Sequence, residues 1–468
     1  MDHVFLSRAQ FALTTSFHIM WPLLSIGLSL LAAVLEALWL KTGGDTYYRH
    51  ARFWSRLLVL NVAVGVASGV PLEFLFGTNW AGFSVATGGF FGNILGFEAT
   101  MAFMLEAGFL GIMFFGWNRV PRGIHLLATC MVAFGASLSA FWIMVANSWM
   151  QTPAGGYMEG GRYVVTSYFQ AIFNADMPWG FSHMWVAALE TTAFVVGGVS
   201  AWYILKNRHA DFFRKSFLIA FLAAIWLSPV QIWLGDASGR LIARTQPAKL
   251  AAIESHWRTN APGTGAPLKI LAWPNQEKQD NDWTLIQIPN GLSLLVTHSL
   301  TGQVKGLRDF PREDQPPVAI PFYGFRLMAG IGFLLAFLML WTLWAWARGQ
   351  LAPHRLAAQK WLLRAWVASI PLGYVAVEAG WWSREVGRQP WVIYGLLRTA
   401  DAASPIPAAA VATTLFIFFL VYNLLFFVFT VFAWRILKQG PDLTSPAPLL
   451  GPAPAALPQE TRQPGEGA

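Results

Sequence analysis

Ionisable side chains inside long apolar runs are the ones most able to do chemistry, because only function or a partner offsets their removal from water. In this 468-residue chain the runs, away from their ends, hold few of them: His18, Glu36, Glu73, Glu98, Glu106, His183, Glu190, Arg326 and Glu378. Arg384, Glu385 and Arg388 follow just past the end of one run, and Met328 stands two residues after Arg326. Histidine and methionine are axial ligands of haem iron. A His–Met pair makes a six-coordinate, low-spin electron carrier, whereas a five-coordinate haem leaves a position open to a gas such as oxygen. Carboxylates in series suit a proton relay. The sequence has one cysteine, Cys130, and no Cys-x-x-Cys-His, so any haem is held without covalent attachment. Disulfide frameworks, iron–sulfur clusters and cysteine zinc sites are excluded by the same count. Each residue alone also has a plainer reading. A single membrane histidine serves equally to hydrogen-bond a neighbouring helix, Met328 is one of 13 methionines and a common gap-filler, and Glu36 and Glu378 suit pairing with arginine or backbone.

The elements that must position these residues are membrane helices. Hydrophobic residues make up 55% of the chain and charged residues 12%, the latter about half the usual soluble share. Nine runs are long enough to cross a bilayer: roughly 10–40, 55–77, 94–117, 125–150, 180–206, 216–235, 321–347, 361–382 and 409–437. The expected fold is therefore all-α, a polytopic membrane protein of about nine transmembrane helices in bundles. The first run is too long for a signal-peptide core and is read as retained. Lys and Arg gather in alternate loops, after runs 1, 3, 5 and 7, which predicts the N-terminus outside and the C-terminus cytoplasmic. The net charge of +8 is mostly this asymmetry and gives no argument for nucleic acid. The chain then divides into helices 1–6 with candidate ligands (1–235), a polar, Pro-rich external loop (236–320), helices 7–9 (321–437) and a Pro/Ala/Gly-rich tail expected to be disordered (438–468). No internal repeat of the transporter kind is visible.

Direction brings the candidates together. His18, Glu98, His183 and Met328 lie in the first third of runs that start outside, Glu73 near the outer end of run 2 and Glu385 at the outer end of run 8. They share one depth in the outer half of the membrane. Glu106 lies eight residues beyond Glu98, about 12 Å deeper and just over two helical turns on.

The motifs around these residues resemble a known family. Gly387-Arg388-Gln389-Pro390-Trp391, preceded by Glu385, is similar to a signature of subunit I of cytochrome bd-type quinol oxidases, as is Glu73-Phe74-Leu75-Phe76-Gly77-Thr78-Asn79-Trp80. Segment 97–106 carries the family's two glutamates, segment 142–151 (Trp142 to Gln151) resembles its helix-4 ending, and Lys249-Leu250-Ala251-Ala252-Ile253-Glu254 resembles its quinol-binding loop. The match runs in order to about residue 437.

What the resemblance implies is carried residue by residue. His183 and Met328 match the axial ligands of a low-spin haem b, with Arg326 beside it. His18 and Glu98 match ligand positions at one haem of a paired high-spin site, and Glu385 the ligand of the other, with Arg388 and Trp381 close by. Lys249 and Glu254 match the quinol-contacting pair, Glu106 and Ser139 a proton route, and Arg8 and Glu73 further residues near the haems. The implied cofactors are two haem b groups, one low-spin and one high-spin, and haem d, or haem b in its place. The long loop lacks the C-terminal insertion carried by the family's long-loop members and so resembles the short-loop members that include the cyanide-insensitive oxidases. The implied partners are a second large membrane subunit (subunit II), a small single-helix subunit, ubiquinol or menaquinol, O2 and lipid. The implied location is the bacterial cytoplasmic (inner) membrane.

The expected reaction is quinol oxidation at the outer face and reduction of O2 to water with protons from the cytoplasm, generating a proton motive force without pumping. Glu254 would accept a quinol proton, Lys249 would hold a quinol oxygen or that carboxylate, and Arg326 and Arg388 would balance haem propionates. Two other classes compete: a haem b protein that passes quinol electrons to another acceptor, and a transporter without cofactor.

Overall fold

A computed structural model describes residues 2–444. Among these, nine helices are long and apolar enough to span a membrane: α1 (His3–Thr42), α2 (Asp45–Thr78), α3 (Ala81–Phe115), α4 (Arg122–Gln151), α5 (Met177–Leu205), α6 (Ala210–Thr245), α7 (Ala319–Ala347), α8 (Lys360–Val386) and α9 (Ala408–Gln439). Every apolar run read from the sequence lies mostly or wholly within one of them. The helices satisfy their own backbone, which is what a bilayer demands. α1 stops at Gly43, whose left-handed φ of 67° a side chain would resist.

α5 is the hub. Of its most apolar stretch, 78% is buried, against 11% for α3 and 6% for α9, which lie at the margin. α1, α6 and α8 pack around it. Close approach depends on Gly197 and Gly198: a β-carbon there would sit 2.2 Å from the Trp366 ring and 2.4 Å from Ile370. Trp39, Trp54, Phe194, Tyr203, Phe213, Phe217, Phe221 and Trp366 fill this core.

Three features depart from the sequence reading. First, α3 begins at Ala81 rather than near 94, because a stretch with Gly82, Gly88, Gly89 and Gly92 is helical although its glycines dilute the apolar signal. Glu98 therefore lies midway along α3 and not in its first third. α3 also contains two wider π-helical segments, Gly88–Gly92 and Glu98–Phe103. Such segments are uncommon and gather at functional positions.

Second, α6 runs to Thr245, so the first ten residues of the loop expected at 236–320 are helical. An Asp236–Arg240 ion pair of 2.9 Å, one helical turn apart, supports that extension. The remaining segment, 246–318, is folded and not simply polar coil. It contains a helix (Pro247–Ile253), an antiparallel ribbon (Leu268–Asn275 with Asp280–Ile288) and a second helix (Gly291–Thr297), around Trp257, Ala272, Leu307 and Phe322.

Third, α8 breaks between Ala368 and Leu372, just before which Pro371 removes a backbone donor. Smaller ribbons join Gly156–Glu159 to Arg162–Val165 and Trp391–Ile393 to Leu397–Arg398. Of the tail expected to be disordered, Lys438 and Gln439 complete α9. The part from residue 445 on lies outside the described residues.

Candidate functional site

Most of the site residues read from the sequence gather toward one end of the bundle, where α5 and α7 begin and α4, α6 and α8 finish. His18 of α1 packs against α2 at Gly69, where a β-carbon would stand 3.0 Å from the imidazole. Its Nδ1 lies 3.0 Å from the Ser68 hydroxyl, and that hydroxyl donates its own hydrogen to the Gly65 carbonyl at 2.9 Å. The Ser68 oxygen must therefore accept from Nδ1–H, a tautomer inferred from the hydrogen-bond network. Nε2 is left with its lone pair, the arrangement a metal-ligating histidine requires.

His183 of α5 presents a different opening. Its Nδ1 is buried without a partner, as is Oε1 of Gln231 on α6, the residue whose amide nitrogen lies 3.4 Å from His183 Nε2. Gly235 of α6 borders the ring, where a β-carbon would stand at ordinary contact distance, 3.5 Å. Met328 of α7 points at Gly380 of α8, where a β-carbon would fall 2.6 Å from the thioether sulfur. Buried polar groups are normally partnered. An orphaned imidazole nitrogen and glycine-lined rings and sulfur are what a space shaped for another molecule leaves behind. Among the described residues no three His, Cys, Asp or Glu side chains converge as a bare-ion site. Haem needs no such cluster, because the porphyrin supplies four nitrogens and the protein one or two. The donor set present fits haem.

The acidic series is physically linked. Ser139 donates to Glu98 Oε1 at 2.6 Å, and Glu73 and Glu106 stand within electrostatic reach of Glu98. Gly135 on α4 admits the Glu106 backbone, with a β-carbon position only 3.1 Å away. The π-helical turn at Glu98–Phe103 falls between the two glutamates. At 3.6 residues per turn, eight residues overshoot two turns, whereas a wider turn brings Glu106 back toward the face of Glu98.

A second network joins four segments. Glu385 accepts from Asn147 at 2.9 Å and Gln151 at 3.1 Å, and pairs with Arg388 at 2.5 Å. Arg388 Nη1 is buried with no partner, a donor free to meet an anion such as a propionate. Arg384 reaches Asn147 at 2.7 Å and pairs with Asp176 just before α5. Burial works against the Asp176 charge, but Arg384 outweighs it and holds that carboxyl below its ordinary range. Trp381 lies among the aromatics of this end, 6.0 Å from the Arg384 guanidinium. Lys249 enters from the loop, 2% exposed, and donates to Gln151 Oε1 at 2.9 Å. Burial, aided by Arg384 and Arg388 and opposed by Glu385 and Asp176, pushes its ammonium down to about 7.

Lys249 and Glu254 lie at opposite ends of the short helix Pro247–Ile253 and do not meet. Glu254 is held instead by Arg326 at 2.6 Å, and the same guanidinium donates to the Lys269 carbonyl at 2.5 Å. Arg326, expected beside a haem, thus ties the loop to α7. Arg8 is exposed near the start of α1, and no hydrogen bond or ion pair joins it to the others among the described residues. Sequence reasoning gave no role to the supporting partners Ser68, Gln231, Asn147 and Asp176. Only Asp176 carried a signal, as a charge abutting an apolar run. Neutral polar residues in membrane helices stand out little until their partners are known.

The model of the family described as cytochrome bd terminal oxidase subunit I matches residues 6–441. Cytochrome bd-II ubiquinol oxidase subunit 1 of Escherichia coli (strain K12) is 35% identical, with 94% of this chain and 97% of the relative covered. Cytochrome bd ubiquinol oxidase subunit 1 of Bacillus subtilis (strain 168) is also 35% identical, covering 94% and 95%. The first alignment runs over 509 positions and the second over 453, so the E. coli relative carries residues that this 468-residue chain lacks. The solved bd oxidase from Geobacillus thermodenitrificans superposes with a TM-score of 0.85 at 33% identity, covering 94% of this chain and 99% of that one. Nine apolar helices, a linked acidic series and a match of this extent leave one assignment: the chain belongs to the cytochrome bd terminal oxidase subunit I family.

Proposed function

We propose that this chain is the haem-bearing subunit of a bacterial inner-membrane terminal oxidase that takes electrons from quinol and reduces O2 to water. The observation that carries the reading is the gathering at one end of the bundle of His18, His183 and Met328, each beside a glycine and the histidines with a ring nitrogen left free, next to the buried pair Glu254–Arg326. His183 and Met328 would hold a low-spin haem b, and His18, Glu98 and Glu385 a high-spin pair made of a second haem b and haem d, or haem b in its place. Bound haem supplies one-electron transfer and the open coordination position at which oxygen is reduced.

The remaining steps belong to the chain's own side chains. Lys249, its charge balanced near neutrality by burial, is suited to hydrogen-bond a quinol oxygen. Glu254 takes a quinol proton as general base, and Arg326 orients it. Arg388 offers Nη1 to an anionic group. Glu106, Glu98 and Ser139 pass protons toward the oxygen site. With the N-terminus outside and the C-terminus cytoplasmic, quinol protons leave outside while consumed protons enter from the cytoplasm, so charge crosses the membrane without a pump. A second large membrane subunit covers α3 and the carboxylate Glu73. That acid is exposed in this chain alone and is costly in lipid.

A reduced-minus-oxidised spectrum with pyridine extraction tests the reading, because it reports haem type and number together. Three haems with carbon monoxide binding in the reduced state are expected. Protein that binds haem but no carbon monoxide is an electron carrier and not an oxidase.

A further inference from the structure

The ribbon Leu268–Asn275/Asp280–Ile288 has no third strand among the described residues. Its first strand rests on the loop core through Ala272, fully buried in one cluster with Trp257, Leu307 and Phe322. Its second strand is exposed from Asp282 to Ile288, on both faces. That strand nevertheless carries Trp283, Leu285, Ile286 and Ile288, with Leu285 71% exposed. Register sets Trp273 opposite Trp283 and Leu271 opposite Ile286, and the two indoles lie 6.0 Å apart. An apolar strand bare on both faces and free along its edge is an aggregation hazard in water, and proteins blunt such edges with charge or cover. Charge on the second strand is confined to its tip end, where Lys278 pairs with Asp282 at 2.6 Å.

The patch is continuous with the apolar flank of a spanning helix. Tyr323, in the second turn of α7, donates to the Ala272 carbonyl at 2.9 Å, and its ring lies 6.3 Å from Trp273. Ile320, Tyr323 and Leu327 are exposed on the same helix. Two tryptophans and a tyrosine where a spanning helix begins have the composition of a membrane–water interface belt. We propose that this ribbon lies on the lipid surface at the end of the bundle where α7 begins. Trp273, Trp283, Leu285 and Ile288 sit at the boundary of headgroups and acyl chains, and the polar turn 276–279 stands in water. The first strand also supplies the Lys269 carbonyl that receives Arg326, the residue holding Glu254. A lipid-borne substrate leaving the bilayer for Glu254 would pass the ribbon, a consequence that rests on the quinol reading above.

The test uses the assembled oxidase in phosphatidylcholine nanodiscs, in a Cys130→Ser background, with a fluorophore at Leu285→Cys or at Lys278→Cys. Nitroxide-labelled phosphatidylcholine should quench the Leu285 label several-fold more than the Lys278 label, and iodide the reverse. Equal quenching at both positions overturns the seating, and a Leu285 label shielded from lipid and iodide alike shows that a protein partner covers the strand instead. A doubly charged variant, Leu285→Asp with Ile288→Asp, should raise the KM for quinol several-fold with kcat and the haem spectrum unchanged. Lipid quenching with an unmoved KM supports the seating and overturns the quinol route past it.

Discussion

At the scale of single residues, the chemistry depends on which groups are left incomplete. Glu106 is tied to Glu98 only through charge and proximity, so Glu106→Gln should cut oxygen-consuming turnover roughly 10²-fold or more, the range for a lost proton-transfer group. Haem absorbance should be unchanged, and loss of haem in that variant would sink the proton-route assignment. Lys249 makes a second prediction through its ammonium, pushed to about 7 by burial. Below that pH the charged form predominates and can donate to a quinol oxygen, and above it the neutral amine takes over. The KM for quinol should therefore rise as pH climbs from 6 to 8. Lys249→Met should give a high KM with no pH step, measured by steady-state quinol oxidation in the same buffers. The residue types of this site were legible in the sequence. Their pairings were not: Glu254 goes to Arg326 and Lys249 to Gln151, because the short helix between them turns the two side chains to different neighbours.

At the scale of elements, glycine positions and helix breaks decide how closely the candidate ligands are framed. Gly380 on α8 leaves room for the Met328 sulfur on α7. Gly380→Val should displace that sulfur and remove the low-spin haem signature, while carbon monoxide still binds the reduced protein; an unaltered low-spin spectrum counts against Met328 as a ligand. The Arg326–Glu254 pair fastens segment 246–318 to α7. Removing one partner of such a buried pair costs about 3–5 kcal/mol where burial is complete, and somewhat less here because Arg326 keeps 14% side-chain exposure. Arg326→Met should thus expose the loop to limited proteolysis at rates well above those of the parent, read by gel, with α1–α9 left intact. The existence of the helices was legible from apolar length alone. The early start of α3 was hidden by its glycines, and the extension of α6 by residues that look like loop until Asp236 and Arg240 are seen one turn apart.

At the scale of the whole molecule, buried surface is shared unevenly among the helices. α5 is enclosed, whereas α3 and α9 present nearly all their apolar surface outward, and α3 carries Glu98 and Glu106, the residues proposed above to pass protons. Co-expression with subunit II should raise the thermal midpoint of the detergent-solubilised protein by several degrees over this chain alone, since anything that binds only the folded form stabilises it. Equal midpoints, followed by haem absorbance on heating, would argue that α3 and α9 face only lipid.

The sequence by itself determined the solvent, the number of crossings and the inventory of groups, because apolar run length, charge and residue type are local properties that a bilayer reads directly. It also carried the motifs that point to the family. Tertiary structure alone decided the partners: the hydroxyl that sets the His18 tautomer, the π-helical turn between Glu98 and Glu106, and the arginine that holds Glu254. Those are contacts between residues tens of positions apart, or local adjustments of the backbone. Their energies depend on geometry that no spacing along the chain encodes.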